Sequence, residues 1–294
     1  MVSRKLGLLA VLLLASGTLG GQVAEEGRVD LRLLRQWPGP DGAPLPFETL
    51  DEIAAFLSTA DLVDYGQVSE GINAVRKVLL ERDGVRMHAV FRDVKVFKRR
   101  IVIEGVTKLN FRDDAIFECA AYELALMLDF RYVPPAVPRQ LKGINGTLQV
   151  WIEDSKMAKD VGDERRKADP WLWNMQRQVM AVFDNLIYND DRNQGNILYS
   201  PPDGKLILID HTRAFRASPE LRAPQHVRYC ERRLFERLKA LRPEAVRERL
   251  RPYLSTTLIE SLLKRRDKLV AHIEELIAEH GEKQVLFSFH GVEN

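Results

Sequence analysis

Residues 184–196 read Asp-Asn-Leu-Ile-Tyr-Asn-Asp-Asp-Arg-Asn-Gln-Gly-Asn, and this polar stretch is the most informative part of the chain. It continues the strongly apolar segment Trp171–Tyr188, whose spacing predicts an amphipathic helix. Two short β-prone runs follow, Ile197–Tyr199 and Leu206–Ile209, and the turn sequence Pro-Pro-Asp-Gly between them predicts a hairpin. The returning strand ends at Asp210, so the hairpin should bring Asp210 beside the end of the polar loop.

Two oxygen-bearing side chains are expected to meet at the open end of this hairpin. Asn196 lies just before the outgoing strand and Asp210 just after the returning one. Magnesium prefers an incomplete protein shell that leaves positions for water and phosphate oxygens, and an Asn/Asp pair suits it. Asp191, upstream on the same loop, is placed to accept or orient a hydroxyl proton. Asn, Asp and Gly also build ordinary turns. The ordered combination nevertheless predicts metal-assisted phosphotransfer.

Composition is that of an ordinary globular chain with a sizeable core. The 294 residues are 45% hydrophobic and 29% charged, which excludes a disordered or fibrous protein. The 44 Lys and Arg nearly balance the 42 Asp and Glu, and the formal charge is only +2. Nucleic acid is therefore not an expected partner.

The first residues have the order of an export signal. Arg4 and Lys5 precede the apolar run Leu6–Ala15, and small residues follow it. About ten apolar residues are too few for a permanent membrane span. The sequence predicts a signal peptide at 1–20 and a mature protein outside the cytoplasm, periplasmic or secreted. The alternative is an uncleaved segment that anchors the chain in a membrane.

The mature chain divides by composition into three further parts. Residues 21–46 are rich in Gly, Pro and charge and predict an N-terminal arm. Residues 47–152 predict an accessory helix and a small β-rich lobe, and 153–294 predict a larger, mainly helical lobe. The expected fold class is therefore α+β with two lobes.

Several elements are predicted within these lobes. Thr49 and Glu52 have capping-box spacing ahead of a short helix. The β-prone runs Val75–Leu80 and Val85–Phe91 flank a turn and predict a hairpin, and Arg112–Leu128 predicts a helix. Further candidates are a strand at Leu148–Ile152 and helices from about 231 to 280 broken by Pro243 and Pro252. The two cysteines, Cys119 and Cys230, lack metal-ligand spacing, and Cys119 is expected to be a buried hydrophobe rather than a disulfide partner.

The loop quoted above resembles the catalytic loop of atypical kinases. The group includes the phosphatidylinositol 3-/4-kinases and the secretory-pathway kinases of the Golgi type, and this chain looks like an exported, bacterial-type relative. Upstream, Arg86–Arg92, Phe117–Leu124 and Val133-Pro134-Pro135 are similar to the small-lobe pattern of those kinases. The resemblance implies a protein-kinase-like fold with ATP and magnesium or manganese as cofactors.

The resemblance also implies roles for residues of the loop and hairpin. Asp191, with Arg192 in the same motif, is implied as the catalytic residue. Asn196 and Asp210 are implied as the metal ligands. Asp210 is followed by His211-Thr212-Arg213 where the lipid kinases have Phe-Gly, which is a departure from the pattern.

In the small lobe, the resemblance implies a basic residue that contacts the nucleotide and a helix glutamate that pairs with it. Arg92 stands where these kinases usually have lysine, and Lys95 is an alternative three residues later. Glu118 is the implied partner, and Glu123 competes with it for that role. An arginine does not present its charge as a lysine does.

These observations favour an exported ATP-dependent phosphotransferase in which Asp191 is the base. The acceptor could be a protein, a lipid headgroup, a sugar or a small molecule, and the sequence does not choose. Arg92 in the lysine position motivates a second hypothesis, a pseudokinase-like module that binds a nucleotide or a partner and transfers nothing. A nucleotidyl transferase on the same fold is a third.

Overall fold

A computed structural model of the chain describes residues 38–66, 75–103, 105–163, 169–200 and 204–289. The predicted signal segment and most of the predicted N-terminal arm lie outside these residues, as do three residues of the predicted turn, 201–203. Among the described residues, no helix combines the length and the apolar character needed to cross a membrane. Both predicted lobe boundaries stay predictions.

Twelve strands and seven helices are found in the described part of the chain. The strands are β1 Asp61–Tyr65, β2 Arg76–Arg82, β3 Val85–Arg92, β4 Lys95–Ile103, β5 Val106–Asp114, β6 Ala136–Leu141, β7 Ile144–Val150, β8 Lys156–Met157, β9 Ile197–Ser200, β10 Lys205–Leu208, β11 Cys230–Glu231 and β12 Leu286–Phe287. The helices are α1 Leu50–Thr59, α2 Ile116–Met127, α3 Pro170–Ile187, α4 Arg232–Ala240, α5 Pro243–Leu250, α6 Thr256–His280 and α7 Glu282–Val285.

A five-stranded sheet forms the β-rich part, in the order β1-β2-β3-β7-β6. Helix α1 packs on it and begins at the predicted capping box, in which Thr49 and Glu52 each bond the backbone of the other. The β2–β3 turn is tight because Asp83 and Gly84 both adopt positive φ, 52° and 77°. These contacts confirm the predicted short helix and the predicted β2–β3 hairpin.

The helical part is organised around α3 and α6. Their apolar faces, with those of α2, α4 and α5, form the larger buried core, whereas α1 and the five-stranded sheet bury a second cluster. Strand β9 pairs with β10 and with β8 in a small three-stranded sheet, and the parallel pair β11–β12 lies farther along the chain. The predicted long helix and the hairpin after the polar loop are both confirmed, as is the α+β class.

The segment predicted to be helical from Arg112 to Leu128 is partly a strand. Strand β5 extends to Asp114, and α2 begins only at Ile116, whose amide is bonded by the Asp114 carboxylate at 3.2 Å. Strands β4 and β5 form a separate two-stranded hairpin that the sequence did not reveal. A half-buried strand is recognised by alternating apolar and polar residues. Strand β4 lacks this alternation, because Lys98, Arg99 and Arg100 are consecutive and its apolar residues are largely exposed. Both cysteines are buried and free, as expected for Cys119.

Candidate active site

Arg192 holds the polar loop and the hairpin together. Its guanidinium is paired with Asp184 at the end of α3, with Nε 3.0 Å from Oδ2. The same side chain donates to the carbonyl of Asn196 and, at 2.7 Å, to that of Ile209. Ile209 N–H also reaches the Asn196 carbonyl at 3.2 Å. One arginine therefore fixes both ends of the β9–β10 hairpin against the helix that precedes the loop.

The two predicted metal ligands consequently lie at the same end of this hairpin. Asn196 donates from its amide nitrogen to the Asp191 carbonyl at 2.9 Å, so its amide oxygen is the atom that the prediction assigns to the metal. Asp210 is half-buried and adopts a positive φ of 57°, and its Oδ1 accepts from the Thr212 hydroxyl at 2.9 Å. A carboxylate and an amide oxygen are hard donors that fit magnesium or manganese.

Asp191, the predicted base, faces a cation in this structure. Arg213 Nη1 lies 2.9 Å from Asp191 Oδ2, and the same guanidinium binds Asp113 of β5 through Nε at 2.9 Å. Burial raises the pKa of Asp191, Arg213 opposes this rise, and the nearby carboxylates Asp210 and Asp190 add to it. The pKa of Asp191 is therefore above the ordinary value for aspartate. A carboxylate with a raised pKa binds a proton more readily, as a general base must.

Arg92 and Glu118 meet on the other side of the site. Arg92, at the end of β3, is only 6% exposed, and its Nε lies 3.9 Å from Glu118 Oε1. Gln149 of β7 bridges them, accepting from Arg92 at 3.4 Å and donating to Glu118 at 3.3 Å. Among the described residues, Arg92 Nε has no hydrogen-bond partner. This nitrogen is itself buried and is the atom of Arg92 that lies 3.9 Å from the Glu118 carboxylate, so it contributes to that ion pair.

A glycine allows the sheet to close around this arginine. A side-chain carbon on Gly146 of β7 would lie 2.3 Å from the Arg92 carbonyl and 2.7 Å from the Phe91 ring. Any larger residue would push β7 away from β3 at the point where Arg92 ends the strand. Close backbone approach, rather than a turn, therefore explains this glycine.

Glu118 is also bound from the metal side. His211, directly after Asp210, donates its backbone N–H to Glu118 Oε1 at 2.8 Å, and its ring Nδ1 lies 2.9 Å from Oε2. Both side chains are fully buried. Burial opposes ionisation of Glu118, but Arg92 and His211 outweigh it and lower the pKa of this carboxyl to about 2. The ionised Glu118 therefore binds Arg92 on one side and His211, which follows the predicted metal ligand Asp210, on the other.

Lys95 and Glu123, the alternatives to Arg92 and Glu118, do not lie near each other in the structure. Lys95 opens β4, is exposed and lies opposite Asp114 in the strand register. Glu123 is one turn farther along α2, where it pairs with Arg249 of α5 and accepts from the Tyr253 hydroxyl at 3.3 Å. Arg92 and Glu118 are the pair that the fold brings together, whereas Lys95 and Glu123 lie elsewhere.

Sequence reasoning missed four residues of this site. Asp113 and Gln149 could not be predicted, because each lies within a strand and contacts site residues that are distant in the chain. Arg213 and His211 were noted only as a departure from the Phe-Gly pattern that follows the metal ligand in the lipid kinases. The one available signal was the position of His211 and Arg213 directly after the predicted metal ligand.

The fold and the arrangement of these residues define a protein-kinase-like architecture, and solved structures confirm the fold class. The structure of hydra Fam20 with sugar superposes with a TM-score of 0.61 at 16% identity, covering 82% of this chain and 93% of that one. The Golgi casein kinase gives a TM-score of 0.61 at 17% identity, covering 81% and 77%. Its form with Mn/ADP bound gives 0.58 at 17%, covering 83% and 80%. No protein-family model and no curated protein sequence matches the chain.

Proposed function

We propose that this chain is an ATP-dependent phosphotransferase that acts on an alcohol group with the help of magnesium or manganese. One observation carries the proposal: Asp191, Asn196 and Asp210 converge around Arg192, and the Arg92–Glu118 pair lies across from them. The kinase-like fold supports it, and so does the Mn/ADP complex of the structurally similar Golgi casein kinase.

The proposed chemistry assigns each group a separate task. A bound divalent cation would neutralise charge on the transferred phosphate. Asn196 and Asp210 would hold that cation through their side-chain oxygens. Arg92 would contact the nucleotide phosphates, with Glu118 and Gln149 fixing its position, and Asp191 would orient the acceptor hydroxyl and take its proton. The acceptor hydroxyl stays open among protein, lipid headgroup, sugar and small molecule.

The export signal completes the proposal. Arg4, Lys5 and the apolar run Leu6–Ala15 support cleavage near residue 20 and action outside the cytoplasm, with membrane anchorage by the uncleaved segment as the alternative. A relationship to bacterial exported kinases and to the phosphatidylinositol 3-/4-kinases is proposed on the loop and small-lobe motifs alone.

The decisive test is Asp210→Asn in the purified chain. This change keeps the size of the side chain but removes the charge that would hold the cation, and we expect metal-dependent ATP turnover to fall by roughly a hundredfold. Asp83→Asn, in the exposed β2–β3 turn, is the matched control. Equal turnover in wild type and Asp210→Asn would exclude the proposed metal site.

Two observations favour a chain that binds a nucleotide but does not transfer a phosphate. Arg213 already neutralises Asp191, and Arg92 replaces the usual lysine, so a pseudokinase-like nucleotide or partner module is the second candidate. A nucleotidyl transferase is the third. Mass spectrometry of a protein lysate incubated with the chain and ATP distinguishes them, since it separates an added phosphoryl group, an added nucleotidyl group and no addition. Thermal-shift titration with ATP and magnesium then shows whether a non-transferring chain binds nucleotide.

A further inference from the structure

The β4–β5 hairpin is the most exposed apolar element of the described chain. Eight large hydrophobic residues of the described part are exposed, and four of them lie on this hairpin: Phe97 at 53%, Val102 and Val106 at 60% each, and Leu109 at 69%. Its two strands pack extensively only against each other. A soluble surface rarely concentrates apolar side chains in this way without a partner.

The hairpin also carries a net positive charge. Residues 95–114 contain six Lys or Arg and three acids, which are Glu104, outside the described residues, and Asp113 and Asp114 at the end of β5. Lys98, Arg99 and Arg100 are consecutive and exposed, and none forms an ion pair with a described residue. Uncompensated cations beside apolar side chains favour an anionic partner that also offers an apolar phase.

Apolar side chains lie nearest the turn of the hairpin and continue beside the basic run. Ile101, Val102, Ile103 and Val106 are nearest the turn, and farther along β4 the cation Arg100 stands opposite the exposed Leu109 of β5. Arg100 is about 7 Å along the strand from Val102, at the usual rise per residue. Apolar groups of peripheral proteins reach about 5–10 Å below the headgroups, so cations at this distance would meet the lipid phosphates.

We propose that the β4–β5 hairpin docks the protein on an anionic lipid surface, with Val102 and Val106 among the headgroups and Lys98, Arg99 and Arg100 against the phosphates. A second copy of the chain fits less well, because two hairpins of the same positive charge repel each other. A projecting two-stranded ribbon also offers no concave pocket for the side chains of an acidic peptide.

The base of the hairpin contacts the candidate active site, so docking of the hairpin would also position that site. Lys108 Nζ lies 3.2 Å from Asp190 Oδ2, directly beside Asp191, and Arg216 donates to the Asn110 carbonyl at 3.1 Å. Arg213 joins Asp113 to Asp191. Docking would therefore hold the acceptor side of the cleft close to the lipid surface. This inference concerns attachment and stands whether or not the chain transfers phosphate.

Vesicle partitioning tests the electrostatic part. The readout is the ratio of partition coefficients for vesicles of phosphatidylglycerol and phosphatidylcholine over vesicles of phosphatidylcholine alone. This ratio is compared between variants, because the N-terminal segment with Arg4 and Lys5 is the same in all of them. Each Lys or Arg near such a surface contributes about fivefold, so Arg99→Gln/Arg100→Gln should lower the ratio by roughly 25-fold. Arg237→Gln/Arg251→Gln, two exposed arginines elsewhere, is the control and should leave it unchanged.

A wild-type ratio near one, or equal ratios for the hairpin and control variants, would overturn the proposal. Insertion is tested separately with Val102→Trp, whose added fluorescence should be quenched by brominated lipid in the anionic vesicles. Ile144→Trp, at the exposed first residue of β7, should give no added quenching. An unquenched Trp at position 102, or a dimer in solution that the Arg99→Gln/Arg100→Gln change abolishes, would also contradict lipid docking.

Discussion

Glu118 and His211 are joined twice, from the His211 backbone N–H to Oε1 at 2.8 Å and between ring Nδ1 and Oε2 at 2.9 Å. Helix α2 is thereby fixed to the residue that directly follows the predicted metal ligand Asp210. Arg92 lies on the far side of the same carboxylate at 3.9 Å. A single buried side chain thus connects the predicted nucleotide contact with the predicted metal ligand.

The hydrogen bond from the His211 ring to Glu118 can be removed while the backbone N–H of residue 211 is kept. His211→Phe replaces the imidazole by a somewhat larger aromatic ring without the Nδ1 donor, and loss of one hydrogen bond to a buried carboxylate should lower kcat/KM for ATP by roughly tenfold. His211→Asn places a donor near the same point and should restore most of the activity. Steady-state kinetics with thermal unfolding as a folding check decide it. Full activity in the Phe variant, or an Asn variant no better than Phe, would refute the positioning role.

Ionisation of Glu118 should make the free energy of unfolding depend on pH in the acidic range. Its pKa is about 2 in the folded chain, against 4.5 as the ordinary value, so its contribution is complete above pH 4.5 and is lost as the pH falls toward 2. The contribution is on the order of 3 kcal/mol. The unfolding free energy of wild type should therefore exceed that of Glu118→Gln near neutrality, and the gap should narrow below pH 4.5. Denaturant titrations at several pH values measure it, with the exposed Glu236→Gln as control; a gap independent of pH would contradict this.

Arg192 should be needed for its shape as well as its charge. Arg192→Lys keeps the cation but cannot bind Asp184 and the carbonyls of Asn196 and Ile209 together, so we expect a loss of about 3 kcal/mol in unfolding free energy and a large fall in turnover. Arg131→Lys, in the more exposed pair with Asp129, should cost less than about 1 kcal/mol. Chemical denaturation compares the two variants, and similar losses would show that Arg192 does not hold the loop.

Arg213 should set the acidic limb of the pH–rate profile. It lowers the pKa of Asp191, which burial and the neighbouring carboxylates raise, so Arg213→Gln should raise that pKa further. A base that protonates at higher pH loses activity at higher pH, and the acidic limb of kcat/KM should move up. Arg228→Gln, an exposed change on the same segment, should leave the limb in place. A limb unmoved, or moved down, in Arg213→Gln would argue against Asp191 as the base.

The sequence by itself determined the elements that depend on local patterns. The apolar helix α3, the polar loop, the β9–β10 hairpin and the capped helix α1 follow from periodicity, turn residues and capping spacing, which act between near neighbours. For the same reason the sequence placed Asn196 and Asp210 at one end of a hairpin. It misplaced the start of α2 at Arg112, because side-chain spacing does not show where a strand stops.

Only the tertiary structure decided the contacts between distant segments. Glu118 meets His211 across 93 positions, and Arg213 meets Asp113 across 100, so no local pattern contains either pair. The choice of Arg92 over Lys95 as the partner of Glu118 depended on the packing of β3, β7 and α2, because both cations are close in sequence. The β4–β5 hairpin escaped prediction because it has no buried face beyond Phe111 and Asp113 at its base, and for the same reason its basic and apolar side chains are exposed.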